Sequence, residues 1–248
     1  MAQLTAALVG TQLSFLLLTF LPPLIWLIFY LRQDRHPEPK RLILITFLGG
    51  MASAVAALAA ECGFLFALTK NSCQSGVSAG ANILLLFAGI SLIEEYAKYL
   101  AVKFLILKKK DFDEPIDGMI YLMTSAMGFA ALENVLFLFP LFHQSVYAGL
   151  AVTANRFLGA NFLHALSSGI VGFFLARAYF SPHRHHFVAL GIIIATVLHT
   201  AFNYLILTRE DVPQGLLYVI LLLSIMAVIV FIEFERLRRN RASAGDAA

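Results

Sequence analysis

The chain has 248 residues, 60% of them apolar and 13% charged, with a formal net charge of +3. Soluble domains average about 25% charged residues, and the mean hydropathy here is +0.81, which excludes an ordinary soluble protein. The positive surplus points to anionic lipid headgroups rather than to nucleic acid.

The pattern predicts an all-α polytopic membrane bundle forming a single integral-membrane domain over 1–248. Seven apolar spans of about 20–29 residues run over 8–31, 42–69, 79–107, 116–142, 151–180, 187–207 and 214–234. No basic residue precedes the first, so it reads as a retained span rather than a secretory signal. Pro22 and Pro23 should kink it. The second to fifth exceed a minimal span, so tilt is expected. The second is also rich in small residues such as Gly49, Gly50, Ala54 and Ala57, which suits close helix packing rather than chemistry. Cys62 falls inside it and Cys73 in the loop beyond, a placement that disfavours a disulfide.

Short polar loops join the spans at 32–41, 70–77, 108–115, 143–149, 181–186 and 208–213. On one side they carry Arg32, Arg35, Lys40, Arg41, Lys108, Lys109, Lys110 and Arg184, then Arg236, Arg238, Arg239 and Arg241 in the tail. The other side has only Lys70 and Arg209. The positive-inside rule then predicts an N-terminus outside and a basic cytoplasmic tail over about 235–248.

The third span carries Glu94, Glu95 and Lys98 in its middle. Unpaired, these charges would cost on the order of 10 kcal/mol, at about 2.5–3.5 each. They must pair, face a wet cavity, or both, and such a cluster is by default a functional-site hypothesis. Lys98 projects between the two glutamates, one turn toward the cytoplasm. At 1.5 Å per residue, Glu94 lies about 20 Å from the cytoplasmic end of its span, Glu133 about 25 Å along the fourth, and His199 about 18 Å from the cytoplasmic end of the sixth. His164 sits at an overlapping level in the fifth. Four helices therefore bring ionisable groups to one depth, which predicts one site. Phe129 shares a face with Glu133, and Asn203 with His199. Separate structural roles are the alternatives: an ion pair for Glu94, Glu95 and Lys98, interhelical clasps for Glu133, Asn134 and Asn203, and hydrogen-bonded packing for the histidines. Arg156 reads as snorkelling outward, Glu61 as reaching the outer interface, and His183, His185 and His186 as a solvated basic loop.

Glu94-Glu95-Tyr96-Ala97-Lys98 resembles the EExxK motif of the PrsW family of intramembrane proteases. Asp117-Gly118-Met119-Ile120-Tyr121 followed by Gly128-Phe129-Ala130-Ala131-Leu132-Glu133-Asn134 resembles its second motif, FxxxE followed by Asn. Arg156 with His164-Ala165-Leu166-Ser167-Ser168-Gly169 resembles the third region, and His199-Thr200-Ala201-Phe202-Asn203 the last. Asp34-Arg35-His36-Pro37-Glu38-Pro39 also resembles this family. The related type II CAAX prenyl endopeptidases and bacteriocin-processing membrane proteases show EExxxR and FxxxH. Here Lys98 comes one residue earlier and Glu133 replaces that histidine, which favours the PrsW branch. Residues 122–127 hold fewer glycines than the family pattern.

The resemblance implies an intramembrane endopeptidase in a bacterial cytoplasmic membrane, with its catalytic helices over about 79–207. It would cut within or beside a membrane segment of a protein, such as a single-span anti-sigma factor. Glu94 is then the candidate general base, Glu95 and Lys98 set its charge, and Asn203 could stabilise the oxyanion. In one version Glu133, His164 and His199 bind zinc, a His₂Glu set with an open position for water. In the other, no metal is present and Glu94, Glu133 and the histidines activate water directly. The first is preferred, because two histidines and a third carboxylate share a level. A proton- or ion-coupled transporter is the rival class, though no internal repeat supports it, and a non-catalytic scaffold is a further alternative. A retinal protein is disfavoured because 214–234 lacks lysine.

Overall fold

The computed structural model describes residues 2–34, 36–70, 82–179, 181, 184–209 and 213–245. Among these there is no strand. The helices are α1 (Ala2–Leu31), α2 (Lys40–Thr69), α3 (Ile83–Leu105), α4 (Asp117–Gln144), α5 (Val146–Leu158), α6 (Ala160–Arg177), α7 (Arg184–Arg209) and α8 (Pro213–Gly245). Among the described residues, six stretches are long and apolar enough to cross a membrane: Ser14–Leu31, Lys40–Thr69, Asp117–Leu138, Gly149–Arg177, His185–Leu207 and Gly215–Arg238. The seventh expected span is α3. Its 23 residues reach about 35 Å, but it carries Glu94, Glu95, Lys98 and Lys103. It starts at Ile83 because the Asn82 side chain accepts from the backbone N–H groups of Leu84 and Leu85, at 3.1 and 3.2 Å, an N-cap that closes the first turn. Arg35, Cys73, His183 and loop residues 71–77 and 210–212 lie outside the described residues.

Helix α4 is the centre of the bundle and packs against α1, α2, α3, α5 and α6. Its middle is sealed: Leu122, Met123, Thr124, Ser125, Ala126 and Met127 are all buried. The small residues of α2 find their use here. A Cβ at Gly50 would run into the Ser125 carbonyl, and one at Gly128 into the Phe47 carbonyl. The two backbones touch at a reciprocal pair of glycines, the close approach that small residues permit between membrane helices.

The expected fifth span is not one helix. It breaks at Gly159, whose backbone (φ −100°, ψ −94°) leaves the helical region. A break at membrane depth frees carbonyls that must find donors. Asn161 Nδ2 donates to the Arg156 carbonyl at 2.9 Å, and Trp26 Nε1, from α1, donates to the Phe157 carbonyl at 2.9 Å. The Trp26 ring also stacks on Phe162, centroids 4.5 Å apart. Helix α1 thus splints the break.

The loop before α2 is fastened to α4. Tyr121 Oη donates to Glu38 Oε2 at 2.6 Å, and Asp117 Oδ2 accepts from the backbone N–H groups of Asp113 and Glu114, at 2.9 and 2.8 Å. Burial pushes the Glu38 carboxyl above the usual carboxylate range. Cys62 is disulfide-bonded, contrary to expectation, and the only other cysteine in the sequence is Cys73.

Candidate active site

Helices α3, α4, α6 and α7 bring their polar residues to one place, as the depth argument requires. Glu95 is the most heavily hydrogen-bonded group. Its Oε1 accepts from Lys98 Nζ at 2.8 Å, His199 Nδ1 at 2.9 Å and Ser167 Oγ at 2.9 Å. Its Oε2 accepts from Ser168 Oγ at 3.4 Å. A buried carboxylate with that many donors is held in one orientation. Lys98, wholly buried, also lies 3.5 Å from Glu94 Oε2 and 4.6 Å from the Phe129 ring centroid, so one ammonium spans both glutamates.

Glu94 is different. Its Oε2 is buried and has no hydrogen-bond partner. The nearest ring nitrogens are His164 Nδ1 and His199 Nε2, each 3.8 Å away. One donor atom from each of Glu94, His164 and His199 lies within 4.8 Å of the others. The opposite ring nitrogens are both held by carboxylates: His164 Nε2 lies 2.8 Å from Glu133 Oε2 and His199 Nδ1 is bound by Glu95. Donation through those atoms leaves each ring one nitrogen without a proton on the Glu94 side; at His164 that nitrogen, Nδ1, lies closer to Lys98 Nζ, at 2.7 Å. Ser91 Oγ, on α3, and Thr196 Oγ1, on α7, are also buried without a partner. Orphaned buried polar atoms cost about 1–3 kcal/mol each unless water or an ion satisfies them.

The family comparison settles which kind of protein carries this arrangement. A family model described as "PrsW family intramembrane metalloprotease" matches residues 38–231. The chain belongs to this family. It is 28% identical over 183 residues to "Protease PrsW" of Geobacillus kaustophilus (strain HTA426), covering 73% of this chain and 74% of that one. It is 27% identical over 221 residues to "Protease PrsW" of Clostridioides difficile (strain 630), covering 86% and 89%. A third "Protease PrsW", from Oceanobacillus iheyensis, is 25% identical over 233 residues, covering 92% and 96%. No solved structure matches the chain. The EExxK, FxxxE and HxxxN segments singled out above all fall inside the family match.

The expected donor set named Glu133 with the two histidines. Among the described residues, the group that could hold a metal is Glu94, His164 and His199; Glu133 stands behind His164 and is paired with Arg156. Instead of snorkelling outward, Arg156 turns into the bundle, with Nη2 in an ion pair 2.9 Å from Glu133 Oε2 and Nε donating to Asn134 Oδ1 at 2.6 Å. The Gly159 break allows this, because α5 need not continue the axis of α6. Asn203 is half-buried, one turn beyond His199 on the same face. Glu61 lies within electrostatic reach of Glu94, Glu133 and Lys98. His185 and His186 are exposed in the first turn of α7, outside the group.

The sequence reading missed Ser167, Ser168 and Ser125 as site residues. Ser125 Oγ donates to the Lys98 carbonyl at 3.1 Å. The signal was present for the other two: they follow His164 at i+3 and i+4, the helical spacing of a shared face.

The group could hold a metal ion. Tetrahedral zinc with ligand bonds near 2.0–2.2 Å sets its donor atoms about 3.5 Å apart. The two 3.8 Å gaps around Glu94 Oε2 lie close to that. Each histidine also has the carboxylate partner that metal-bound imidazoles commonly keep. One contact competes: Lys98 Nζ sits 2.7 Å from His164 Nδ1, so ammonium and metal would draw on the same lone pair.

Proposed function

We propose that this protein hydrolyses peptide bonds of membrane proteins at a water held among Glu94, His164 and His199. The observation that carries the reading is the buried Glu94 Oε2, hydrogen-bonded to no protein group, set between two imidazole nitrogens and the Lys98 ammonium. Without a metal, Glu94 accepts the proton of the attacking water; with one, the same carboxylate would be a ligand. Glu95 is unsuited to that task, since its oxygens are already occupied by Lys98, His199, Ser167 and Ser168; it orients His199 and balances Lys98. Glu133 orients His164. Asn203 donates to the oxyanion as it forms. Zinc suits the donor set, held by Glu94, His164 and His199, and when bound it would supply a more acidic water and a polarised carbonyl.

The Lys98–His164 contact favours a second, metal-free version, in which Lys98 keeps His164 Nδ1 occupied and Glu94 activates water directly. Metal analysis separates the two. Purified protein stripped with a chelator should lose cleavage of a reporter membrane peptide and regain it with about one equivalent of zinc. Full activity with no bound transition metal would end the zinc version. For the substrate, a single-span membrane regulator is the proposed class. Membrane proteomes of cells carrying the active protein or E94Q should differ by a membrane protein that accumulates only with the variant, and identical proteomes would refute a cellular substrate of this class.

A further inference from the structure

The buried stripe of α3 includes Phe87, Ser91, Glu94, Glu95, Lys98 and Val102. At about 100° per residue, Ser91 falls between the two glutamates, one turn before them, as Lys98 does one turn after. The two residues bracket the pair, but only Lys98 is bonded to it. Ser91 is wholly buried and its Oγ has no partner. Helical hydroxyls elsewhere in the chain return to their own backbone: Thr46 donates to the Leu42 carbonyl at 2.8 Å, Thr124 to the Ile120 carbonyl at 2.8 Å and Thr200 to the Thr196 carbonyl at 2.7 Å. Ser91 makes no such bond to Phe87, one turn before it. Its surroundings follow from the helix directions. Helical side chains lean toward the N-terminus of their helix, so Glu94 reaches back over the turn that holds Ser91. Helix α7 runs antiparallel to α3, since Val102 and Ile106 at the end of α3 share a cluster with Val188 and Ile192 near the start of α7. One turn back from Glu95 is Ser91, and one turn on from His199 is Asn203. With Glu95 and His199 joined at 2.9 Å, Ser91 and Asn203 stand at one level, on the same side of that bond.

We propose that the Ser91 hydroxyl holds the attacking water against Glu94. Residues three apart on a helix have Cβ atoms about 5–6 Å apart, a gap that one water spans with two hydrogen bonds of about 2.8 Å. A buried hydroxyl is costly until it is bonded, and this water bonds it. In the metal-free version Ser91 donates to one lone pair of the water and the water donates to Glu94. The second lone pair is left for the substrate carbonyl, whose oxygen turns to Asn203 at the same level. With a metal, the hydroxyl keeps its contact with the water, since it can donate or accept. The part in attack rests on the proposed hydrolytic reading; the water between Ser91 and Glu94 does not.

The test pairs a high-resolution crystal structure of the full-length protein in lipid with kinetics on a reporter membrane peptide. The structure should show an ordered water within about 3.2 Å of both Ser91 Oγ and a Glu94 carboxylate oxygen, and S91A should lack it. S91A should lower kcat about 10-fold, the worth of one hydrogen bond to the water. KM should change less than about twofold, and the unfolding temperature in detergent should stay nearly the same. S91T and S91V have the same shape and differ by the hydroxyl, so S91T should remain several-fold more active than S91V. Ser91 Oγ bonded to the Phe87 carbonyl with no water at Glu94, or S91V as active as S91T, would overturn the proposal. If neither of the two larger side chains folds, S91A decides, and a wild-type kcat in S91A is the refuting result. If the wild-type protein cleaves no membrane peptide, the hydrolytic reading fails, and the two crystal structures alone decide whether Ser91 holds a water.

Discussion

Glu94 and Glu95 are neighbours in sequence with opposite surroundings, and substitution should separate them. E94Q should lower cleavage by about 10²–10⁴-fold, the range for a positioned acid or base, while leaving the unfolding temperature in detergent nearly unchanged. E95Q should do more harm to the fold. It leaves the Lys98 ammonium without its closest counter-charge at 2.8 Å, and breaking a buried pair costs about 3–5 kcal/mol, readable as a lowered unfolding temperature. Equal stability of the two variants would refute this assignment. At this scale the sequence revealed a good deal. Charges in an apolar helix stand out against their cost, and counting along each helix places Glu94, Glu133, His164 and His199 at one level. Counting says nothing about where a side chain turns. Arg156 was assigned to the interface because its depth was known and its direction was not. The choice between Glu94 and Glu133 as the partner of both histidines depends on that same direction.

Among the helices, the contact of α2 with α4 depends on Gly50 and Gly128 meeting the opposite backbone. G128V should force the pair apart. Overpacking of this kind costs about 1–3 kcal/mol, and because α4 also carries Glu133, activity should fall along with thermal stability. A G128V protein as stable and active as wild type would show that the helices pack otherwise. The Glu38 tether to Tyr121 makes a pH-dependent prediction. Its folded-state pKa is raised, chiefly by burial, so the native state favours the protonated form. The stability this adds is complete below the unfolded value of about 4.3 and is lost as pH rises through the folded value. E38Q keeps an acceptor for Tyr121 without the charge. Its stability relative to wild type should therefore grow with pH across that window, as followed by thermal melts. A difference that shrinks would reverse the argument. Helix identities were readable from long apolar runs, whereas the Gly159 break was not, since Gly is common within membrane helices. The neighbouring Arg156 and Asn161 were the available clue: polar side chains flanking a glycine can cap the carbonyls a break exposes.

For the whole molecule, the charge distribution proposes an orientation that the fold alone does not fix. Reporter fusions after residue 110 and at the C-terminus should read as cytoplasmic, and fusions near 75 and 211 as external; the opposite pattern would invert the arrangement. A disulfide at Cys62 belongs with an oxidising exterior and agrees with that orientation. The expected bundle came through largely intact because length and hydropathy dictate it, while periodicity carries no signal for a disulfide at Cys62. The reactive group also has a consequence for biogenesis. Glu94 and Glu95 come from α3, His164 and the two serines from α6, and His199 from α7. A chain still being threaded into the bilayer has its glutamates in place well before the last histidine arrives. On the proposed reading, cleavage then waits for α7 to dock.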